Sequence, residues 1–154
     1  MTAKEAILLN LNDARSRAMK VFEAIPEEHA LWKPDPESMT LVHTVRHFFE
    51  CDDWFLKVIE SGVRAEEVMP DWDSMPFSTI QHEINYGLPY REKFIRLVES
   101  YSDDDLSNIQ VTRPKWTKSL GEFLMRCAYH DAYHTGQLQF FLRMLNVPRP
   151  NVWL

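Results

Sequence analysis

The sequence predicts an all-α protein that folds as a four-helix bundle. Four segments of the 154-residue chain carry helix start and stop signals, and we find no strand-like alternation of apolar and polar residues. The last of these segments repeats apolar residues at alternating spacings of four and three, which is typical of a helix packed along its whole length. The chain length fits one core, so we predict a single domain over residues 1–154.

The first helix and the linker after it are marked by a cap and by prolines. A capping box, formed by Thr2 and Glu5, predicts a helix start, and Pro26 predicts its end, so the helix should cover about residues 3–24. Further prolines follow in residues 26–38. Each proline removes a backbone donor and restricts the preceding residue, so this linker cannot continue the helix.

The second helix is predicted to start near Thr40 and to run to about Ser61, with Gly62 as its end signal. Residues 63–77 mix charged and aromatic residues with two prolines. This composition indicates an ordered loop, which could cover one end of the bundle.

The last two helices differ in how clearly the sequence defines them. The third should cover residues 78–101, with a kink or a break at Gly87 and Pro89. The fourth begins with a second capping box at Ser119 and stops at Asn146, shortly before two prolines. Its predicted seam consists of Leu120, Leu124, Cys127, Asp131, His134, Leu138, Phe141 and Leu145.

Polar residues interrupt this apolar seam and indicate a functional site. Asp131 and His134 lie in the seam, and His130 lies on its flank. A buried polar group without a partner costs about 1–3 kcal/mol, so these side chains need partners. Because His130 and His134 are four residues apart on a helix, they share one face and could bind one metal ion. The alternative is that both are ordinary half-buried histidines bonded to backbone or carboxylate groups.

A metal site with an open position usually needs three protein ligands. The second helix offers two candidates, His43 and His47, and the residue pattern leaves both open because either could face inward. Gln137, on the same face as the fourth-helix histidines, could orient a bound water or a substrate.

The two cysteines and one glutamate lie near the histidines in the predicted helices and are possible further ligands. Cys51 and Cys127 are too few for a disulfide framework, and we assign both to core packing, with a soft-ligand or redox role as the alternative. Glu50 makes His-x2-Glu with His47, as in di-iron carboxylate bundles. That class needs several inward glutamates, and the last helix offers none beside its histidines.

The remaining polar and aromatic residues receive structural assignments. Asp131 is expected either to accept a hydrogen bond behind a ligand or to be a helix-surface charge. We predict solvated surface positions for Asp52, Asp53, His29 and His82. Core, loop-packing or dimer-contact positions, rather than a cofactor pocket, are predicted for Trp32, Trp54, Trp72, Trp116 and Trp153.

Composition excludes several classes of partner and location. A formal charge of −6 without a local Lys/Arg cluster disfavours nucleic acid, and no apolar run approaches the roughly 20 residues that span a membrane. The N-terminal segment lacks the apolar core of a signal peptide, so we predict a cytoplasmic protein.

Three runs of the chain carry a resemblance to a known family. They are Trp32-Lys-Pro with Met39-Thr-Leu-Val ahead of His47, then Tyr101-Ser-Asp-Asp-Asp-Leu106, then His130-x3-His134-Thr-Gly-Gln137-Leu138-x4-Arg143-Met-Leu. In order and spacing the chain resembles the DinB/YfiT family of predicted metalloenzymes, which are four-helix bundles with a lone histidine in helix two and His-x3-His in the last helix. One departure is Asn146 in place of an expected glycine; asparagine also tolerates the left-handed conformation.

The resemblance implies a metal site and a class of chemistry. It implies His47, His130 and His134 as the three ligands of zinc, nickel or iron. Related transferases and isomerases use a low-molecular-weight thiol, which implies a small-molecule substrate and a thiol-dependent transferase, with Gln137 or Tyr133 positioning the second reactant. A metal-dependent hydrolase and a non-catalytic stress-response or interaction protein are the alternatives. The resemblance also implies a homodimer.

Overall fold

The protein is described here by a computed structural model that covers residues 1–61 and 71–153. Within these ranges the long helices are α1 (Ala3–Glu23), α2 (Leu41–Ser61), α3 (Ile80–Ser100) and α5 (Leu120–Met144). Between α3 and α5 lie the short helix α4 (Asp103–Asn108) and the strands β1 (Gln110–Arg113) and β2 (Trp116–Ser119). The all-α bundle prediction is therefore confirmed. Gly62, as the predicted end of the second helix, and residues 63–70 of the predicted loop lie outside the described residues.

The helix ends form as their capping residues predict. At α1, the Thr2 side chain accepts a hydrogen bond from the Glu5 backbone, and the Glu5 carboxylate accepts one from the Thr2 backbone over 2.8 Å. The same reciprocal pair forms at the start of α5, between Ser119 and Glu122. Beyond α5, Asn146 has a φ of 57°, so it takes the left-handed conformation expected for this position.

Helix α3 runs without interruption, so a predicted break at Gly87 and Pro89 is wrong. Pro89 lies inside the helix at an exposed position. Gly87 is buried against α2: a Cβ atom at this position would lie only 2.2 Å from Cγ of Phe49. The glycine thus allows α2 and α3 to approach closely.

The β-hairpin corrects the expectation that the chain contains no strands. β1 and β2 pair antiparallel, with Gln110 opposite Ser119 and Arg113 opposite Trp116. Each strand has four residues, and Val111 is the buried one on β1. Such short strands allow only two cycles of alternation, which is too little for a periodic signal.

Buried charges join the four long helices. Arg15 of α1 contacts Asp52 of α2 and Asp131 of α5, and Arg91 of α3 also contacts Asp52. Asp52 is fully buried, so its predicted position on a solvated surface is wrong. Asp53 is half-buried beside Lys57. These pairs lie between two apolar clusters, because Arg15 lies over the rings of Phe48 and Phe49 in one and Arg91 over Phe94 in the other.

A third buried arginine, Arg46, holds the described end of the loop before α3. Arg46 pairs with Glu83 over 2.8 Å and donates to the carbonyl oxygens of Trp72, Met75 and Pro76. Trp72 is almost fully buried and donates to Glu83. The described loop residues therefore pack over α2 and α3, where the sequence predicted an ordered loop at one end of the bundle. Among the described helices, none is long and apolar enough to cross a membrane.

Candidate metal centre

Three histidines from two helices meet on one side of the bundle. His47 comes from α2, and His130 and His134 lie one turn apart on α5. One potential ligand atom from each lies within 4.8 Å of the other two, and Nε2 of His47 is 3.1 Å from Nε2 of His130. Tetrahedral coordination at about 2.0–2.1 Å would place two nitrogens about 3.3 Å apart. These residues therefore fit a transition-metal ion.

The side chain of Gln137 determines which nitrogen of His134 is free. Its Oε1 lies 2.7 Å from Nδ1 of His134. An amide oxygen can only accept, so Nδ1 carries the proton and Nε2 keeps its lone pair. The amide nitrogen of Gln137 donates to the hydroxyl of Tyr133 over 3.2 Å. Gln137 therefore links an exposed tyrosine to the orientation of a candidate ligand.

Burial keeps two of the three imidazoles in the form that binds a metal. Desolvation, reinforced by the neighbouring histidines, lowers the pKa of His47 to about 3. Burial likewise lowers the pKa of His134, with His130 adding to the shift. Neutral imidazole has the lone pair that coordination needs, so both rings are ready to bind at neutral pH.

Asp131 lies behind the cluster, where it is buried against Arg15. Burial alone would raise the pKa of its carboxyl, but the Arg15 guanidinium holds the pKa at about 2. Its Oδ1 is 3.5 Å from Nδ1 of His130, too long for a good hydrogen bond, and Nδ1 has no hydrogen-bond partner among the described residues. Of the two predicted roles of Asp131, the surface charge is therefore wrong, and the carboxylate stands close behind His130.

Comparison with known proteins places the fold in a family. The family model of the DinB superfamily matches residues 10–138, a span that includes all three histidines. The chain belongs to the DinB superfamily. Its fold is similar to a DinB-like protein, YjoA, of Bacillus subtilis, at 19% identity and a TM-score of 0.70, with 96% of each chain covered. An uncharacterised protein of Escherichia coli UTI89 is similar at 14% identity and a TM-score of 0.71, covering 94% of this chain and 95% of that one. Comparison with curated proteins gives no match.

Within this DinB superfamily chain, His43 takes no part in the cluster. It lies one turn before His47, with its ring 4.8 Å from that of Phe77. Burial lowers its pKa, and Arg46 adds to the effect. The residue pattern left the rotation of α2 open, and the family resemblance implied His47; the structure brings His47 and not His43 to the α5 histidines. Of the two histidines predicted at the surface, His82 is exposed, whereas His29 is half-buried.

Both cysteines of this DinB superfamily chain are free thiols. Sγ of Cys51 is 3.4 Å from Nε2 of His130 and 3.6 and 3.8 Å from the two nitrogens of His47. These distances place the sulfur in contact with both imidazole rings. Cys127 is buried and donates to the carbonyl oxygen of Phe123. Burial raises the pKa of both thiols, which agrees with the predicted packing role.

Glu50 is buried, and its Oε1 has no hydrogen-bond partner among the described residues. Desolvation, with Asp73 nearby, raises its pKa to about 7. It is not a member of the histidine group, which keeps the cluster distinct from a carboxylate-bridged centre.

The DinB superfamily fold also forms a cleft beside the histidines that sequence reasoning missed. The cleft has a volume of about 420 Å³ and is shared by His130 and Tyr133. Trp54 and Trp116 line it, whereas Trp72 is in the core, Trp32 packs on Phe141, and Trp153 is 81% exposed. The hairpin supplies one wall of the cleft. Because the hairpin had no periodic signal, the sequence did not place Trp116 beside the site.

Proposed function

We propose that this chain is a metal-dependent enzyme, a transferase that joins a low-molecular-weight thiol to a small organic substrate. The observation that carries the proposal is the convergence of three imidazoles on a space that one ion can occupy. The histidine-bearing runs resemble those of the DinB/YfiT family, whose relatives include thiol-using transferases, and this supports the reaction class. A cleft of about 420 Å³ beside His130 supports a small molecule as substrate, since such volumes suit small ligands.

His47, His130 and His134 would hold zinc, nickel or iron. Bound there, the ion supplies Lewis acidity, which lowers the pKa of a thiol or water in its open position. The overall change is that the thiol loses its proton to solvent, its sulfur bonds to an electrophilic carbon, and the leaving group departs with the bonding electron pair.

The other residues of the site have supporting roles in this proposal. Gln137 uses its amide oxygen on His134, so it is a positioning residue that fixes the ring and its tautomer. Tyr133 is 64% exposed and lines the cleft, so its hydroxyl is available to the substrate. Asp131 adds negative charge behind His130.

Elemental analysis of the protein without a histidine tag tests the metal site. We expect about one equivalent of metal in wild type and in His82→Ala, a control on the exposed surface, and a loss in His47→Ala and His134→Ala. Absence of metal after reconstitution with zinc, nickel and iron would contradict the proposal and leave a non-catalytic interaction protein.

An activity screen of the metal-loaded protein, with and without an added small thiol, tests the reaction class. Consumption of an electrophilic substrate that requires both the thiol and the three histidines supports a transferase. Ester or amide hydrolysis that proceeds equally well without thiol would replace the transferase by a hydrolase.

A further inference from the structure

The hairpin is a basic segment in an acidic protein. Residues 109–119 contain three cationic residues, Arg113, Lys115 and Lys118, and no Asp or Glu, in a chain whose formal charge is −6. The hairpin contributes Trp116 to the cleft that His130 shares. The element that borders the cleft therefore carries three positive charges.

The inner surface of the cleft is built from aromatic rings. The Trp116 ring stacks on Phe123 with centroids 5.8 Å apart, and Trp54 lies 6.4 Å from the same phenylalanine. Phe55 continues the surface, because its ring contacts both Trp54 and His130. These rings form an apolar wall that leads to the histidine cluster, which suits the flat body of an aromatic ligand.

Two arginines place positive charge at this aromatic surface. The Arg113 guanidinium lies over the Trp54 ring, 5.2 Å from its centroid, and that of Arg126 lies 5.9 Å from the centroid of Trp116. Arg126 lines the cleft and is exposed. The cleft thus combines apolar rings with cationic groups, which complements a ligand that is aromatic on one side and anionic on the other.

We propose that this cleft binds a small aromatic anion, a carboxylate or sulfonate on a planar ring, with its charge at Arg126 and its ring against Trp116. That this ligand is the second reactant of the enzyme rests on the proposed function. Binding of the anion itself requires only the cleft and can be measured without metal.

A matched pair of fluorescent probes tests the proposal on the metal-free, full-length protein. The anionic probe is 1-anilinonaphthalene-8-sulfonate, and the neutral probe is N-phenyl-1-naphthylamine, which lacks the sulfonate. We expect one molecule of the sulfonate per chain, and an affinity at least about ten-fold weaker in Arg126→Glu. The affinity for the neutral probe should change less than about two-fold in the same variant. The control, Arg96→Glu, reverses an exposed charge on α3 and should leave both affinities unchanged.

Trp116→Leu separates the aromatic contribution from the ionic one, and it should weaken both probes several-fold while circular dichroism remains that of wild type. Equal sulfonate affinity in wild type and Arg126→Glu would overturn the proposal. A sulfonate affinity that falls in Arg96→Glu but not in Arg126→Glu would overturn it as well. Sulfonate binding whose apparent affinity depends on protein concentration would indicate a second copy of the chain in the cleft and would also overturn it. A chain that binds the sulfonate but never a metal would disprove the proposed enzyme alone.

Discussion

Arg15 on α1 donates from Nε to Oδ2 of Asp131 on α5 over 2.9 Å, and both side chains are buried. The same guanidinium donates to Asp52 through Nη1 over 2.8 Å. Arg15 therefore ties α1, α2 and α5 together directly behind His130, whose Nδ1 is 3.5 Å from Asp131. Stability and the position of a candidate ligand thus depend on one buried arginine.

We expect Arg15→Met to lower the free energy of unfolding by about 3–5 kcal/mol at neutral pH, because it leaves the buried Asp131 carboxylate without its arginine and Asp52 with Arg91 alone. The loss should shrink as pH falls toward 2, since the folded pKa of Asp131, about 2, lies below its ordinary value of 3.8. Stability from this depressed pKa is present above pH 3.8 and disappears as the carboxyl is protonated. Urea unfolding of wild type and Arg15→Met at several pH values measures this difference in the free energy of unfolding. Arg96→Met, at an exposed ion pair, should cost less than about 0.5 kcal/mol, and an equal loss in both variants would contradict the prediction.

Gln137→Ala should weaken metal binding without removing a ligand. The variant frees the tautomer and the orientation of the His134 ring, which Gln137 fixes over 2.7 Å. Loss of such a partner typically costs about 10–100-fold in metal affinity. Competition with a chromophoric chelator gives the affinity. Gln139→Ala is the matched control, because Gln139 bonds instead to the Pro150 carbonyl. An unchanged affinity in Gln137→Ala would show that the amide has no positioning role.

Glu50→Gln should stabilise the metal-free protein more at pH 8 than at pH 5. The folded pKa of Glu50, about 7, lies above the ordinary value of 4.5, so ionisation of this carboxyl destabilises the folded protein. The stability that it takes away is fully present below pH 4.5 and is lost as the pH rises through 7. Glutamine keeps the shape and removes the charge. Urea unfolding at both pH values tests this, with Glu60→Gln, exposed on the same helix, as the control. A gain that does not depend on pH would be inconsistent with a buried charge as its source.

Gly87→Ala and Gly136→Ala should change stability in opposite directions. A Cβ at Gly87 would meet Cβ, Cγ and Cδ2 of Phe49 within 2.6 Å, so one helix must shift, at about 1–3 kcal/mol. A Cβ at Gly136 meets nothing within 4 Å, and alanine there should add about 0.5–1 kcal/mol through backbone entropy. Thermal unfolding of the two variants beside wild type measures both effects. Destabilisation by Gly136→Ala would mean that α5 is more crowded than its contacts indicate.

Sequence reasoning succeeded where the signal is local. The capping pairs at Thr2 and Ser119 involve residues three apart, and the facing of His130 and His134 follows from a spacing of four on one helix. It failed where a residue is paired across the bundle. Asp52 is predicted at the surface because its partners are distant in sequence. In the fold it pairs with Arg15 and Arg91, which are 37 and 39 residues away.

Spacing along the chain was sufficient to predict the helical bundle and the histidine pair of its last helix, because helix periodicity and capping depend on residues within about one turn of each other. Spacing left His43 and His47 equivalent; the family resemblance favoured His47, and the packing of α2 turns that residue toward α5. Only the tertiary structure decided that Asp131 is buried against Arg15, and that the hairpin brings Trp116 beside His130. Helix rotation and long-range ion pairs depend on how whole helix faces pack together, and the spacing of residues along one helix does not contain this information.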